Sequence, residues 1–200
     1  GYQITQKENP LIKNGYVMLD KNNKKINIKQ VHIEEDTGKL NHKKNDQYTY
    51  INYNRAGIAL LEIVSNPELK SKEETIEYVK KIHNILKENN ICKGRLDKGE
   101  FRCDINISLK KKEENTLNNK VEIKNLNSFK FIKDAIDYEI NRQTSIYTIK
   151  KEIKNETRGF NKKKKTTYPL RQKEIASEYG YCYEPNIPIF YITNEDIESI

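Results

Sequence analysis

Three acidic side chains of this sequence, Glu35, Glu62 and Asp104, stand on separate expected strands or strand ends. Carboxylates in that setting are candidates for metal binding. Mg²⁺ prefers oxygen ligands in octahedral geometry, and it keeps positions open for water and for the phosphates of a substrate. We therefore predict that the three carboxylates meet around one magnesium ion, on condition that the order of the strands brings them together.

Glu62 lies within the run ALLEIVS, residues 59–65, between a glycine and an Asn-Pro pair. This pattern predicts a strand that is buried on one or both faces. Because an ionised carboxylate is costly to bury, Glu62 needs a partner of opposite charge. A metal shared with other acids is one candidate. The guanidinium of Arg55 or Arg102 is the other, and such an ion pair would make the metal unnecessary.

The segment HIEEDTG places three acids in a row, Glu34, Glu35 and Asp36, directly before a turn signal. In one interpretation they are solvated charges at the end of a strand. In the other, one of them points inward and binds a cation.

The first part of the chain is predicted to be rich in strands. Residues 1–12 are typical of a strand or extended segment that enters a turn at Pro10, and residues 14–29 are typical of a hairpin across Asn22 and Asn23. A helix is predicted over residues 71–90.

The start of that helix is marked by Ser71 and Glu74, which have the spacing of a capping box. Its core-facing positions recur at helical spacing: Ile76, Val79, Ile82 and Leu86. We interpret His83, beside this stripe, as a packing or capping residue rather than a ligand.

Asp104 belongs to the alternating run FRCDINISL, residues 101–109. The apolar face of this predicted strand would enter a core. The polar face could bind a substrate or a metal, or it could simply meet water; it comprises Arg102, Asp104, Asn106 and Ser108. Residues 121–127 alternate again and are predicted to complete a hairpin with the first run.

A second helix is predicted to begin at Ser128 and to continue over residues 129–143. Its expected core residues are Phe131, Ile132, Ala135, Ile136 and Ile140. The region after it has no sustained period and is predicted to be extended, with a basic tip at NKKKK. The C-terminal segment is expected to be irregular chain with one strand. The fold class that follows is α+β, a largely antiparallel sheet flanked by two main helices.

Composition sets limits on the class of protein. The 200 residues, 35% apolar, are enough for one large domain or two small ones. The formal charge of +8 is consistent with nucleic-acid binding, but it is also consistent with ordinary solvated lysines. Three cysteines without CxxC spacing favour a reducing compartment, and no apolar stretch is long enough for a membrane helix.

Several motifs give the chain a resemblance to a known family. In order along the chain they are YQITQ, HIEEDTGKL, YNRAGIALLEIVSNPEL, RCDINIS, VEIKNLNSF, YEINRQ and ETR. This series is similar to the B subunits of the aspartyl/glutamyl-tRNA amidotransferases, the GatB family, from Tyr2 to about Ile192. The related archaeal E subunit shares the same catalytic region and is an alternative.

The resemblance implies a cradle-type catalytic domain that uses ATP and Mg²⁺. In that family the side-chain carboxylate of Glu or Asp on a mischarged tRNA is phosphorylated, and ammonia then displaces phosphate to give Gln-tRNA or Asn-tRNA. The ammonia comes from glutamine hydrolysed in an A subunit, and a small C subunit supports the pair. The implied partners are therefore the A and C subunits and the tRNA, in the cytoplasm or in a mitochondrial or plastid matrix, with no membrane.

The resemblance also implies roles for particular residues. By motif match Glu35, Glu62 and Asp104 are the catalytic magnesium ligands. Four further residues lie in matched motifs and could contact phosphates or the acceptor end of tRNA: Arg55, Arg102, Lys124 and Asn125. For each of the four, a salt bridge or a hydrogen bond at a strand end is an equally good interpretation.

The sequence departs from the family pattern at several points. We expect residues 1–200 to be a partial catalytic domain, because the family's first strand, with its Gly-Leu-Glu-Val-His motif, and its helical and tail tRNA-binding domains have no counterpart here. Ala59, Gly180 and Asn186 stand where the family usually has Pro, Arg and Asp. The second functional hypothesis is accordingly a scaffold that docks tRNA or the A subunit without catalysis.

Overall fold

The computed structural model describes residues 2–42, 47–114, 116–170, 180–189 and 191–199, and the side chains of Tyr2, His42 and Asn125 lie outside this description. The chain forms two compact units. The first unit comprises Gly1–Asn14, Lys29–Val64 and Ser177–Ile200, and the second comprises Gly15–Ile28 and Ser65–Ala176.

Twelve strands and three helices make up the described chain. In chain order they are β1 (Tyr2–Ile4), β2 (Ile12–Lys13), β3 (Tyr16–Leu19), β4 (Lys24–Glu35), β5 (Lys39–His42), β6 (Thr49–Asn52), β7 (Ala59–Ser65), α1 (Lys72–Glu88), β8 (Cys103–Ile107), β9 (Val121–Leu126), α2 (Phe129–Thr148), β10 (Glu156–Asn161), β11 (Thr166–Pro169), β12 (Gly180–Cys182) and α3 (Asn194–Glu198).

The predicted α+β class is confirmed, with antiparallel pairing in the majority and α1 and α2 as the two long helices. The described strands form four sheets rather than one. Two pairs are parallel, β1 with β12 and β9 with β10. In the second unit the sheet has the order β11-β10-β9-β8, and α2 packs against it.

The two predicted hairpins are present. Antiparallel β3 and β4 are joined by a turn that contains Asn22 and Asn23, and Asn23 has a φ of 48°, a conformation that Asn tolerates better than most residues. Strand β8 pairs antiparallel with β9, with Ile105 opposite Ile123. The alternation predicted for β8 is also confirmed, since Ile105 and Ile107 are buried and Asp104 and Asn106 are exposed.

Helix α1 begins as predicted, with the Ser71 side chain accepting a hydrogen bond from the Glu74 backbone N–H. The Glu74 carboxylate accepts from the backbone N–H of Lys70, one residue before the cap. The buried stripe is Thr75, Tyr78, Val79 and Ile82, so that the contact face is rotated from the one predicted. Among the described helices, none is both long and apolar enough to span a membrane.

His83 is a packing residue, as predicted. Its ring makes edge contacts with Phe101 and Phe129, at centroid distances of 5.1 and 5.5 Å, and its Nε2 lies 2.7 Å from the Gly94 carbonyl oxygen.

Strand β7 differs from the prediction in its burial. No residue of Ala59–Ser65 is fully buried, and half of the Glu62 side chain (50%) is exposed. The apolar run is therefore a partly covered strand, and Glu62 does not bear the full desolvation penalty that the sequence suggested.

Helix α2 continues five residues beyond the prediction, to Thr148. Ile132, Ala135 and Ile136 are buried as expected, but the stripe then continues with the polar residues Glu139 and Gln143 instead of Ile140. The hydrophobic pattern alone therefore does not define this face of the helix.

The Ser128 cap gives a prediction for stability. Its side chain accepts a hydrogen bond of 3.1 Å from the Phe131 backbone N–H. We expect Ser128→Ala to lower the free energy of unfolding by about 1 kcal/mol. Ser145→Ala, at an exposed position inside the same helix, is the matched control and should change it by less than about 0.5 kcal/mol in urea unfolding. Equal effects of the two changes would contradict the assignment of Ser128 as the cap.

Candidate metal centre

Two neighbouring strands of the first unit bring a histidine and two glutamates together. His32 and Glu34 are two residues apart in β4 and so point to the same face of the strand. Glu62 comes from β7, which pairs with β4. One possible ligand atom from each of the three lies within 4.8 Å of the others, and this is the one such cluster of three or more metal-ligating side chains in the part of the chain described.

The geometry of the cluster centres on His32 Nε2. This atom lies 3.0 Å from Glu62 Oε2 and 3.5 Å from Glu34 Oε2. The side chain of His32 is 1% exposed and that of Glu34 12%, whereas Glu62 lies half in solvent. The cluster is therefore buried at His32 and Glu34 and open to solvent at Glu62.

His32 Nε2 is a buried nitrogen that makes no hydrogen bond within the described structure. Glu62 Oε2 is close enough for an ion pair but is not in hydrogen-bonding geometry. The other ring nitrogen, Nδ1, is 3.3 Å from the Gln30 side-chain nitrogen. A buried polar atom without a partner is costly, and in native proteins it often marks a ligand or ion position.

The environment changes the acidity of Glu34. Burial of its carboxylate, and next the nearby charge of Glu62, raise the pKa of Glu34 above its ordinary value of 4.5, while His32 and Gln3 lower it by less. Two adjacent carboxylates that repel each other are stabilised in their ionised forms by a bound cation.

The donor set fits a divalent cation. In octahedral Mg²⁺ coordination adjacent ligand atoms are about 3 Å apart and opposite ones about 4 Å, which is the spacing available in this cluster. Glu34 and Glu62 supply the oxygen ligands that Mg²⁺ and Mn²⁺ prefer. Imidazole nitrogen is a softer donor, so His32 fits either as a weaker third ligand or as the group that holds the two carboxylates in place.

The sequence prediction placed Glu35 in this site, but the structure brings Glu34 to Glu62. Because side chains alternate along β4, Glu35 points away from the face of His32. The backbone oxygen of Glu35 accepts a hydrogen bond of 2.8 Å from Gln3, and its Oε1 would lie 3.7 Å from a Cβ at Gly57. The alternation H-x-E at residues 32–34 was the sequence signal that could have identified Glu34.

Asp104 lies in the second unit, on the polar face of β8. Its carboxylate is 3.3 Å from the Lys124 ammonium, which is also 3.4 Å from Glu122. Partial burial is the largest cause that raises the pKa of Asp104, and Glu122 adds to the rise while Lys124 opposes it. For Lys124 burial opposes the charge, but Asp104 and Glu122 together raise its pKa. Participation of Asp104 in the same metal site as Glu62 stays a prediction.

The predicted substrate-binding residues have different environments. Arg55 Nε donates a hydrogen bond of 2.7 Å to Asp36 Oδ2, so its ion pair is with Asp36 rather than with Glu62. The positive charge of Arg102 opposes the rise in the pKa of Asp104, but by less than Lys124 does. The side chain of Asn125 lies outside the described part of the structure. Contact of these residues, or of Lys124, with a substrate stays a prediction.

Comparison with protein families gives a match over residues 1–198 to the GatB/GatE catalytic domain. The chain belongs to this family. This match confirms the resemblance inferred from the motifs over nearly the whole chain. The strands that carry His32, Glu34 and Glu62 lie within the matched residues.

Curated relatives agree with the family match. The chain is 43% identical over 200 residues to the B subunit of the aspartyl/glutamyl-tRNA(Asn/Gln) amidotransferase of Wolbachia sp. subsp. Brugia malayi. It is 44% identical over 202 residues to the protein of the same name from Persephonella marina, and 40% over 203 residues to that from Nitrosococcus oceani. All of the chain is covered, but it spans only 42 to 43% of the length of these relatives.

Proposed function

We propose that this GatB/GatE domain is the catalytic part of a protein that activates Glu or Asp on a mischarged tRNA with ATP and then amidates it. The observation that carries the proposal is the cluster of His32, Glu34 and Glu62, in which a buried nitrogen that makes no hydrogen bond lies close to two carboxylates, one of them open to solvent. The relatives named above are tRNA-dependent amidotransferase subunits, which supports the same class of reaction.

In the proposed reaction, a side-chain carboxylate oxygen of the aminoacyl group forms a bond to the γ-phosphorus of ATP, and the bond to the β-phosphate bridging oxygen breaks. Ammonia then attacks the acyl phosphate, and inorganic phosphate leaves. Two anions must meet in the first step, so catalysis depends mainly on positioning and charge neutralisation.

The residues of this chain supply the positions. Glu34 and Glu62 would hold a Mg²⁺ ion, which would supply positive charge that offsets the repulsion of two anionic substrates. The buried ring of His32 would hold both glutamates in position, since its Nε2 lies within 3.5 Å of each carboxylate. Glu62, half exposed, is the member of the cluster most accessible to solvent.

The partners are part of the same proposal. A protein of this class requires an ammonia source, which we propose to be a glutaminase A subunit held by a C subunit, and a mischarged tRNA as substrate. The experiment that tests the function uses the complete protein with these partner subunits. ADP should be released only when mischarged tRNA is present. Retained tRNA binding without any ADP release would instead favour the non-catalytic scaffold.

The raised pKa of Glu34 predicts a pH dependence of metal binding. Protons compete with the metal for an ionised ligand, and burial and Glu62 keep the pKa of Glu34 above 4.5. Affinity should therefore fall as the pH is lowered through this raised pKa. We expect Mn²⁺ to bind more weakly at about pH 5 than at about pH 7 in calorimetric titrations.

The raised pKa of Glu34 has the opposite effect on the stability of the metal-free protein. The folded state holds the Glu34 proton more tightly than the unfolded state, so the contribution of this group to stability is favourable at low pH and is lost as the pH rises through the raised pKa.

Glu34→Gln should reduce the pH dependence of Mn²⁺ affinity. An affinity that is the same at both pH values would show that Glu34 is not a ligand.

A further inference from the structure

The turn between β10 and β11 consists of four consecutive lysines, residues 162–165, and its backbone is held without use of their side chains. Asn161 Oδ1 accepts hydrogen bonds from the backbone N–H groups of Lys163 and Lys164, at 3.1 and 3.0 Å. Lys165 has a φ of 52° and closes the turn. The four ammonium groups are therefore presented by a backbone of defined shape.

This turn lies against the beginning of α2. The ammonium of Lys162 is 5.4 Å from the centre of the Phe131 ring, and that of Lys165 is 3.7 Å from Asp134 Oδ2. Beneath them the rings of Phe131 and Phe160 are 6.0 Å apart. The contacts join the turn and the first two turns of α2 into one surface.

Helix α2 adds positive charge at the same place. Lys130 and Lys133 are exposed in its first two turns, and its first turn contains no acidic residue. Helix N-termini carry a partial positive charge and normally attract acids, so lysines at this position are locally unfavourable. We call the resulting surface the lysine patch; it consists of Lys130, Lys133, Lys162, Lys163, Lys164 and Lys165.

The neighbouring acids neutralise little of this charge. Asp134 meets Lys165 at 3.7 Å, and Asp137 on the next turn of α2 is already paired with Lys72 at 2.6 Å. Lys163 and Lys164 are exposed and have no side-chain partner among the described residues. The surface therefore keeps a concentrated positive charge that a polyanion can neutralise.

We propose that the lysine patch binds the phosphate backbone of RNA. Lysine is a principal ligand of backbone phosphates, whereas it is depleted in protein–protein interfaces, which rely on aromatic and other large apolar anchors. The rings beneath the patch are not exposed anchors, since Phe160 is buried and Phe131 is only partly exposed. That the RNA is the body of the substrate tRNA rests on the proposed function; the binding of RNA does not.

The test compares two double variants of the complete protein. Lys163→Gln with Lys164→Gln removes two charges from the patch. The control, Lys111→Gln with Lys112→Gln, removes two consecutive exposed lysines from the loop before β9. Because β9 and β10 run parallel, with Val121 opposite Glu156, that loop lies at the other end of the sheet.

Binding of uncharged tRNA is measured by fluorescence anisotropy without ATP, at salt concentrations from about 50 to about 200 mM KCl. We expect the patch variant to bind about tenfold more weakly at about 100 mM KCl. Its slope of log affinity against log KCl concentration should be shallower by about 2. The control should bind within about twofold of the parent protein. Without ATP or a charged tRNA, the result is independent of whether the protein catalyses the proposed reaction.

Equal losses in the two variants would show that only net charge matters and would overturn the proposal, as would no loss in either. An acidic protein partner is the competing possibility. If the patch variant loses binding to poly-glutamate but keeps its affinity for tRNA, the patch recognises acidic protein surfaces instead, and the RNA assignment is wrong.

Discussion

Glu62→Gln should reduce tRNA-dependent ADP release by at least about a hundredfold. The substitution keeps the shape of the side chain but removes the charge that would bind the metal from the open side of the cluster. Because Glu62 is half exposed and comes from a strand without fully buried residues, the fold should tolerate the change. The measurement is ADP release by the complete protein with its partner subunits and mischarged tRNA.

Glu8→Gln is the matched control, since Glu8 is an exposed glutamate of the same unit and lies outside the cluster. It should leave the rate of ADP release unchanged. The melting temperatures of both variants should lie within about 2 °C of the parent value. A Glu62→Gln variant that keeps more than about a tenth of the parent rate would contradict a direct catalytic role for this carboxylate.

Glu139→Ala should destabilise the second unit by about 3 to 5 kcal/mol, because it breaks a buried ionic network. The Glu139 side chain is fully buried, and Arg142 donates to it through Nη2 at 2.6 Å and through Nε at 3.0 Å. Gln143 Nε2 and Thr167 Oγ1 donate to the same carboxylate at 3.0 and 3.1 Å. Removal of Glu139 leaves the Thr167 hydroxyl without this acceptor and takes one acceptor each from Arg142 and Gln143, which keep only Glu156 and the Ile107 carbonyl among the described residues.

The network connects α2 to three strands. Arg158 donates through Nε to Thr167 Oγ1 at 2.8 Å and through Nη1 to Glu156 at 3.1 Å. Gln143 reaches the backbone of β8, where it donates to the Ile107 carbonyl at 3.3 Å. This network therefore holds the face of the sheet against the helix by directional bonds as well as by apolar contact.

Urea unfolding of the purified protein measures the effect of Glu139→Ala. The control is Glu88→Ala, at the exposed end of α1, which should change the free energy of unfolding by less than about 0.5 kcal/mol. Burial opposes the charge of Arg142, but Glu139 and then Glu156 raise its pKa overall. A loss below about 1 kcal/mol for Glu139→Ala would show that the network is not a source of stability.

Local signals in the sequence were sufficient for much of the fold. Turn residues and alternation predicted the hairpins around Asn23 and between β8 and β9, and capping serines predicted where α1 and α2 begin. These features depend on residues close together in the chain. The apolar face of β8 was predictable for the same reason.

Features that depend on distant partners were not predictable. Glu139 and Gln143 look like exposed helix positions until Arg158 and Thr167 are brought to them from the sheet. Glu62 looked buried because its neighbours are apolar, but burial depends on what covers the strand. Both errors have one cause, since hydropathy along the chain does not report contacts across it.

The candidate site was predicted in part. The structure places Glu62 in a cluster with Glu34 and His32, whereas the motif had pointed to Glu35; the magnesium-binding roles of Glu35, Glu62 and Asp104 stay predictions. The structure places Glu34 beside His32 and Glu62, within 4.8 Å. A shift of one residue along a strand reverses the face on which a side chain lies, so Glu34 and Glu35 lie on opposite faces of β4.

The most direct test of the metal centre is therefore a Mn²⁺ titration of two variants that differ by one position. With calorimetry at about pH 7, we expect Glu34→Gln to weaken Mn²⁺ binding at least about tenfold, and Glu35→Gln to leave the affinity within about twofold of the parent value. Loss of binding in Glu35→Gln with full binding in Glu34→Gln would contradict the centre formed by His32, Glu34 and Glu62.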